Sequence, residues 1–183
     1  LDDNWQEGGY HYKQEKKQNH EDAEIMLKNY WNYIQLKPAY TIFTEHWFSF
    51  DTQYANLHGK CDRIDLDNEN NIFIIDYKTS KRTLTERELK KNLQLGIYAI
   101  FSICEGIELD GNKIQGLPKK LSMLFLREKK PEVSVLFTDD DIDEFNTQIQ
   151  EVSENIQKGK FEPCKGRYCD WCDYKDLLCP EFG

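Results

Sequence analysis

The sequence has no apolar run long enough to cross a membrane and no basic-then-apolar signal peptide at its start. It also has no internal repeat, no low-complexity segment and no RNA-binding motif. The sequence has no excess of cationic residues, since its net charge is −9. A general nucleic-acid coat protein needs such an excess to bind phosphate. These absences argue against membrane, repeat and coat proteins, and we expect an intracellular, cytoplasmic protein with no membrane partner.

The chain of 183 residues has the size of one globular domain and is large enough to bury its own core. Apolar residues make up 39% of the sequence and charged residues 31%, so the composition gives no indication of disorder. The sequence begins at Leu1 without a methionine, and we interpret it as a fragment of a longer protein.

The spacing of apolar residues predicts one helix, three strands, a second helix, two strands and a third helix, in that order. The second and third strands form a predicted hairpin that turns at residues 67–71. The other predicted ranges are 21–36 for the first helix, 40–50 for the first strand, 85–104 for the second helix, 121–127 and 132–137 for the last two strands, and a third helix from a Thr138 cap to Gly159.

The predicted hairpin carries the strongest functional signal in the sequence. Asp62 lies in its first strand, and the apolar run 72–75 of its second strand leads directly into Asp76 and Lys78. Side chains two apart on a strand share a face, so Asp76 and Lys78 point the same way, and Asp62 approaches from the neighbouring strand. Two carboxylates and one ammonium at a sheet edge suit a hard divalent cation and a phosphodiester.

These segments, together with Gln94 and Tyr98 on the second predicted helix, resemble the PD-(D/E)XK nuclease superfamily in its RecB-like branch. That branch carries the motifs GxxDRID, DYKT and QxxxY, and it includes the nuclease domains of UvrD/RecB/AddB-type helicase-nucleases and CRISPR-associated RecB-like nucleases. A cysteine-rich tail within 164–180 is similar to that of iron–sulfur members. The resemblance covers residues 23–180 and implies an α/β fold with an αβββαβ core, a mixed central sheet flanked by helices, which agrees with the predicted order of elements.

The resemblance also implies a metal-binding catalytic centre. Asp62 and Asp76 would bind Mg²⁺ or Mn²⁺, with the backbone carbonyl of Tyr77 as a further ligand. Lys78 would position or help to deprotonate the attacking water and offset negative charge on the phosphate. Taken alone, however, Asp76 and Lys78 also fit a surface ion pair.

Further polar residues accompany these motifs. By resemblance, Gln94 and Tyr98 contact substrate or orient the catalytic groups; the alternative is a core tyrosine beside a solvated glutamine. Glu45, one strand earlier, matches an acid that the family often carries, and it would reach the metal directly or through water; the alternative is a plain strand glutamate. Arg63 and Asp65 are interpreted as structural residues that pair with neighbouring charges.

Family members commonly place a metal-binding histidine on a helix before the first strand. His11 and His20 are the candidates in this sequence. The segment around His11 resembles the lead into the first helix rather than the histidine helix itself. We therefore expect the histidine of the metal site to lie before Leu1, in which case the isolated chain would bind metal and cut weakly.

Residues 78–91 contain six cations and two acids, whereas acidic residues predominate in 139–144. A local basic strip beside an acidic pocket is what a metal-dependent nuclease needs to bind a phosphate backbone. The alternative is a solvated helix face.

Four of the six cysteines, Cys164, Cys169, Cys172 and Cys179, lie within sixteen residues. Without a secretory signal, metal binding is favoured over disulfides. By resemblance we expect a 4Fe-4S cluster, ahead of zinc and of free thiols. Iron–sulfur relatives usually draw their first cysteine from upstream of the nuclease motifs, so Cys164 would substitute for it or the fourth ligand lies outside this sequence. We divide the chain into a nuclease core, 1–163, and a metal-binding tail packed on it, 164–183.

The sequence therefore predicts a metal-dependent deoxyribonuclease domain, an exonuclease rather than an endonuclease. It would act on single-stranded DNA or duplex ends as part of a helicase-nuclease in DNA end processing and repair. The alternative is a catalytically inactive nuclease-fold module that binds single-stranded DNA or a helicase partner.

Overall fold

The structure, a computed structural model, describes residues 1–6, 8–10, 12–36 and 40–182. The helices are α1 (Lys13–Leu36), α2 (Glu86–Leu89), α3 (Leu93–Cys104) and α4 (Asp139–Gln157). The strands are β1 (Tyr40–Asp51), β2 (Asn56–Leu66), β3 (Ile72–Lys78), β4 (Ile107–Leu109), β5 (Asn112–Ile114), β6 (Lys120–Phe125) and β7 (Glu132–Val135). Short 3-10 helices span Asp2–Asn4 and Cys169–Trp171.

The centre of the fold is a five-stranded sheet in the order β1-β2-β3-β6-β7. Neighbouring strands are antiparallel except for β3 and β6, which run parallel. The connection between these two carries α2, α3 and the β4–β5 hairpin, because parallel neighbours require a crossover. The loops that follow β3 and β6 therefore lie at the same edge of the sheet. This architecture confirms the predicted α/β fold with a mixed sheet flanked by helices.

The hydrophobic core lies between the sheet and α3, and α4 contributes further side chains to it. Phe101 of α3 stacks on Phe48 of β1 with 4.6 Å between the ring centroids. The opposite face of the sheet is met by α1, where the Asn29 amide donates a hydrogen bond to the carbonyl of Leu126 at 2.9 Å. In residues 1–6, 8–10, 12–36 and 40–182, no helix is both long and apolar enough to cross a membrane.

Gly96 allows α3 and α4 to approach closely. A Cβ atom added there would lie 2.5 Å from Cγ of Phe145. We expect Gly96→Ala to lower the free energy of unfolding by about 1–3 kcal/mol, because the ring must shift within a packed core. Urea unfolding measures this change. Gly166→Ala is the control, because a Cβ at that position meets no atom within 4 Å. Equal midpoints for the two variants would contradict the close approach.

The second predicted helix is in fact two helices, and the prediction of one continuous helix over 85–104 was wrong. Thr85 and Glu88 form a capping box at the start of α2. The side chain of Asn92 then caps α3 by accepting a hydrogen bond from the N–H of Leu95 at 3.0 Å. The two helix N-caps lie seven residues apart and divide the segment into two helices. The spacing of the apolar residues continues across the break, so it predicts a single helix.

The other boundaries agree to within a few residues except at α1, which begins at Lys13 rather than residue 21. Its first two turns are polar, so they carry no apolar spacing from which a helix is predicted. The β4–β5 hairpin was missed because each strand has three residues. The predicted cap of α4 is confirmed, since Thr138 and Asp141 form a capping box.

Candidate active site

The pairing of β2 with β3 ends one row before the two predicted acids. Arg63 pairs with Ile75 in the last row of the described ladder, so Asp62 and Asp76 would face each other in the next one. Instead, the Asp62 carboxylate accepts a hydrogen bond from the backbone N–H of Tyr77 at 2.7 Å. A side chain thus takes the place of a backbone acceptor, and the two strands fork at this point.

The ribbon formed by β1 and β2 is irregular at the same row. Side chains that face the core step by three residues there instead of two, from Phe43 to His46 on β1 and from Cys61 to Ile64 on β2. Glu45, which lies within this step, has a φ of 54°. A non-glycine residue in that left-handed region costs about 1–3 kcal/mol, and such strain is concentrated at functional sites.

Asp76 is the buried acid of the site, with 2% of its surface exposed. Its Oδ1 accepts a hydrogen bond from Nε2 of Gln94 at 2.9 Å, and its Oδ2 lies 2.7 Å from Nζ of Lys78. Burial raises the pKa of Asp76, the neighbouring Lys78 opposes this rise, and the negative charge of Asp62 adds to it. Because Lys78 does not fully offset burial and the charge of Asp62, a further cation beside the two carboxylates would favour the ionised form of Asp76.

Gln94 and Tyr98 share one face of α3, as predicted, and they connect the charged groups. Oε1 of Gln94 accepts a hydrogen bond from Nζ of Lys78 at 2.9 Å, and Nε2 donates to the Tyr98 hydroxyl at 2.9 Å. That hydroxyl donates to the carbonyl of Lys60 at 3.0 Å and lies 3.4 Å from Oδ1 of Asp76. Because burial raises the pKa of Tyr98, the hydroxyl keeps its proton at neutral pH.

The donor atoms at the fork fit a hard divalent cation. Oδ2 of Asp76 is buried, and among the residues described no hydrogen-bond donor is aligned with it; its contact with Lys78 is one of charge. A buried oxygen without a donor is costly unless another positive group binds it. Carboxylate oxygens are the ligands that Mg²⁺ and Mn²⁺ prefer, so Asp62 and Asp76 are suited to hold such an ion.

The other predicted metal-site residues have different neighbours. Glu45 is exposed and forms an ion pair with Lys60. Nε2 of His20 lies 2.8 Å from Oδ1 of Asp2, and His11 falls outside the described residues. In the part of the chain that the structure describes, no three His, Cys, Asp or Glu side chains are close enough to share a metal ion. Among the described residues, the candidate site thus contains two carboxylates and no third side-chain ligand from this set.

Arg63 and Asp65 form a buried, bidentate ion pair on the α1 side of the sheet. Nε and Nη2 of Arg63 lie 2.7 and 2.8 Å from the two carboxylate oxygens. The guanidinium also donates to the hydroxyl of Tyr30 at 3.2 Å, and that hydroxyl lies 3.1 Å from the hydroxyl of Tyr77. This network anchors α1 behind the strand that carries Asp76. We expected Arg63 and Asp65 each to pair with a neighbouring charge. In the structure they pair with each other.

Sequence reasoning missed Lys60 and Tyr30 as neighbours of the site. Lys60 precedes Asp62 by two residues on β2, so the alternation of the strand was a signal available in the sequence. Tyr30 has no such signal, because its position in the apolar stripe of α1 does not distinguish a packed ring from one whose hydroxyl joins a polar network.

The four tail cysteines form no disulfide in the part of the chain that the structure describes: Cys164 and Cys172 are exposed, and Cys169 and Cys179 are half-buried. The N–H of Gly166 donates to Sγ of Cys169 at 3.2 Å. The described tail contains no group of three cysteine, histidine or acidic side chains close enough to bind a metal ion. Its large apolar side chains are exposed, namely Tyr168, Trp171, Tyr174, Leu177 and Leu178. The 4Fe-4S cluster, the zinc alternative and the packing of the tail on the core stay predictions.

Comparison with known proteins identifies the family of the chain. A family model described as the PD-(D/E)XK nuclease superfamily matches residues 1–180, which include both acids, Lys78 and α3. Comparison with curated proteins found no match. Because the family model covers nearly the whole sequence, the chain belongs to the PD-(D/E)XK nuclease superfamily.

Proposed function

We propose that this chain is a metal-dependent deoxyribonuclease domain of the RecB-like branch, which hydrolyses phosphodiester bonds at DNA ends. The observation that carries the proposal is the fork between β2 and β3. There Asp62 binds the backbone of Tyr77, and the buried Asp76 contacts both Lys78 and Gln94. The family suggests a nuclease, and this arrangement provides the acids and the cation that phosphodiester hydrolysis needs.

Asp62, Asp76 and the backbone carbonyl of Tyr77 would hold Mg²⁺ or Mn²⁺. When bound, such an ion lowers the pKa of water and offsets negative charge on the phosphate. The protein prepares the site by holding Asp76 through Gln94 and by fixing Asp62 against the backbone of β3. Ligands held in this way lose little freedom on binding a cation, which favours binding.

Lys78 has two contacts, one with Oδ2 of Asp76 and one with Oε1 of Gln94. If a cation takes Oδ2, the hydrogen bond to Gln94 still holds the ammonium at the site. From there Lys78 would orient the attacking water and offset charge that develops on the phosphate. Gln94 is thus a positioning residue for both Asp76 and Lys78.

The edge of the sheet beside Lys78 carries most of the local positive charge. The loops after β3 and β6 lie side by side, since Nε of Arg127 donates to the carbonyl of Thr79 at 2.8 Å. Exposed cations on these loops and on the adjoining helical segment are Lys81, Arg82, Arg87, Lys91, Lys129 and Lys130. Although the whole chain has a net charge of −9, this edge provides a path for a phosphate backbone.

Incubation with linear and with circular single-stranded DNA tests the proposal. We expect Mg²⁺ to support degradation of the linear strand and EDTA to abolish it, because the proposed centre needs a divalent ion. An exonuclease leaves the circular strand intact, whereas an endonuclease opens it. Persistence of both substrates in Mg²⁺ and in Mn²⁺ would contradict the proposal.

The second candidate is an inactive nuclease-fold module that binds single-stranded DNA or a helicase. It is favoured by the two-carboxylate site, since no third His, Cys, Asp or Glu of the described residues joins it. Salt-dependent DNA binding without Mg²⁺-stimulated cleavage is the result that this candidate predicts.

The wider context is also part of the proposal. By resemblance, the domain would belong to an intracellular helicase-nuclease that processes and repairs DNA ends, with a 4Fe-4S cluster on the four tail cysteines. Iron and zinc content and visible absorbance of anaerobically purified protein distinguish an iron–sulfur cluster from zinc and from free thiols.

A further inference from the structure

Trp47 is a large aromatic side chain that the core does not use. It is 71% exposed and lies on β1 between His46 and Phe48. Both of those rings contact Phe101 in the core, with 5.8 and 4.6 Å between the centroids. Because successive side chains of a strand point to opposite faces, the indole is turned away from the core and towards solvent.

A lysine accompanies this ring. Lys60 of β2 is the register partner of Trp47, and its Nζ lies 5.7 Å from the centroid of the indole. The Glu45 carboxylate pairs with the same ammonium and holds it near the ring. An aromatic face and a cation are therefore presented side by side on the β1–β2 ribbon.

The backbone of the strand that carries Lys60 contacts the candidate catalytic centre. Lys60 precedes Asp62 by two residues, a distance of about 7 Å along a strand. The carbonyl of Lys60 accepts a hydrogen bond from the Tyr98 hydroxyl at 3.0 Å, and that hydroxyl lies 3.4 Å from Oδ1 of Asp76. The indole and the α3 groups lie on opposite faces of the β1–β2 ribbon, so a DNA strand stacked on Trp47 would reach the fork by crossing the edge of β2, which in the described ladder is paired with β3 only from Arg63 onwards.

We propose that Trp47 and Lys60 form a binding site for single-stranded DNA, in which Trp47 stacks on an unpaired base and Lys60 contacts an adjacent phosphate. Every base has a π-face, so stacking on an aromatic side chain tolerates any sequence. Bases inside a duplex already stack on each other, and the site therefore selects an unpaired strand. Lys60 exchanges the Glu45 carboxylate for the phosphate when the strand binds. The inference deepens the proposed nuclease function by assigning its substrate class.

Binding is measured by fluorescence anisotropy in the Asp76→Asn background at fixed salt, so that the strand is not cut. The probes are a labelled oligothymidylate, an abasic oligonucleotide with the same number of phosphates, and a blunt duplex of the same length. We expect Trp47→Ala to weaken oligothymidylate binding about tenfold, because one stacked base is lost. Binding of the abasic strand and of the duplex is expected to be unchanged.

Three further variants complete the test. Trp31→Ala removes another exposed tryptophan, 62% exposed on α1, and is expected to leave all three affinities unchanged. Trp47→Tyr keeps an aromatic ring and should retain most of the affinity, whereas Trp47→Leu keeps apolar bulk and should lose it. If Trp47→Ala does not fold, the comparison of Trp47→Tyr with Trp47→Leu still tests whether an aromatic ring is needed for binding.

Equal losses for the oligothymidylate and the abasic strand, or no loss for Trp47→Leu, would overturn the inference. Failure of the wild type to cut DNA would instead overturn the proposed nuclease function, because stacking is measured without cleavage.

Discussion

Replacement of Asp76 by asparagine is expected to reduce Mg²⁺-dependent DNA cleavage about a thousandfold or more. The carboxylate is both a proposed metal ligand and the contact of Lys78, and loss of several kcal/mol of transition-state stabilisation has this effect on rate. Single-turnover cleavage of a labelled linear strand measures the rate. Glu151→Gln is the control, because Glu151 is an exposed acid in the interior of α4. Equal cleavage by wild type and Asp76→Asn would contradict the assignment.

This loss of activity is separable from a loss of fold. Burial raises the pKa of Asp76 above its ordinary value of 3.8, so the folded state holds the proton more tightly than the unfolded state does. Stability is therefore lost as pH rises through the folded-state pKa, when the buried carboxyl ionises. At neutral pH without metal, Asp76→Asn is expected to be at least as stable as the wild type. At a pH below the ordinary pKa of Asp76 the carboxyl is protonated in both states, so the stability advantage of Asp76→Asn over the wild type disappears. Urea unfolding at the two pH values checks both statements.

Replacement of Arg63 by methionine is expected to lower the free energy of unfolding by about 3–5 kcal/mol. The change leaves the Asp65 carboxylate buried without its cation, and Asp65 is 5% exposed. Urea unfolding measures the effect, and Arg87→Met is the matched control because Arg87 is exposed. The double variant Arg63→Met with Asp65→Leu removes both charges and should recover much of the loss. Equal stability of Arg63→Met and Arg87→Met would show that the ion pair contributes little.

The spacing of residues in the sequence predicted those parts of the site that lie on a single strand or a single helix. Alternation along β3 placed Asp76 and Lys78 on one face, and helical spacing did the same for Gln94 and Tyr98. The mixed sheet was implied by the resemblance, and the order of elements agreed with it, because a helix between two strands allows a parallel crossover. These features are set by the geometry of single strands and helices, which the sequence pattern reports directly.

The fork at Asp62 was not predictable in the same way. It depends on a hydrogen bond between a side chain of β2 and the backbone of Tyr77, and on a matched irregularity in β1 that gives Glu45 a positive φ. Both arise from pairing between strands, whereas apolar spacing reports one strand at a time. The ion pair of Glu45 with Lys60 was not predicted for the same reason. The strand that contains Glu45 was predicted, but its pairing with Lys60 depends on the register of β1 and β2.

The cysteine tail illustrates a different difficulty. Spacing identifies Cys164, Cys169, Cys172 and Cys179 as a possible thiolate set, but the distances between sulfur atoms depend on how the segment folds. The tail is too short to form its own core. Few contacts other than a bound metal would therefore fix the positions of its sulfur atoms, and the sequence does not predict them.

A Mn²⁺ titration followed by electron paramagnetic resonance tests the central assignment most directly, because it needs neither DNA nor cleavage. We expect Asp62→Asn and Asp76→Asn each to weaken Mn²⁺ binding by about a hundredfold, because loss of a direct ligand costs at least as much affinity as loss of a residue that only orients one. Glu151→Gln should bind Mn²⁺ as the wild type does. Unchanged Mn²⁺ binding in the Asp62 and Asp76 variants would contradict a metal centre at the fork of β2 and β3.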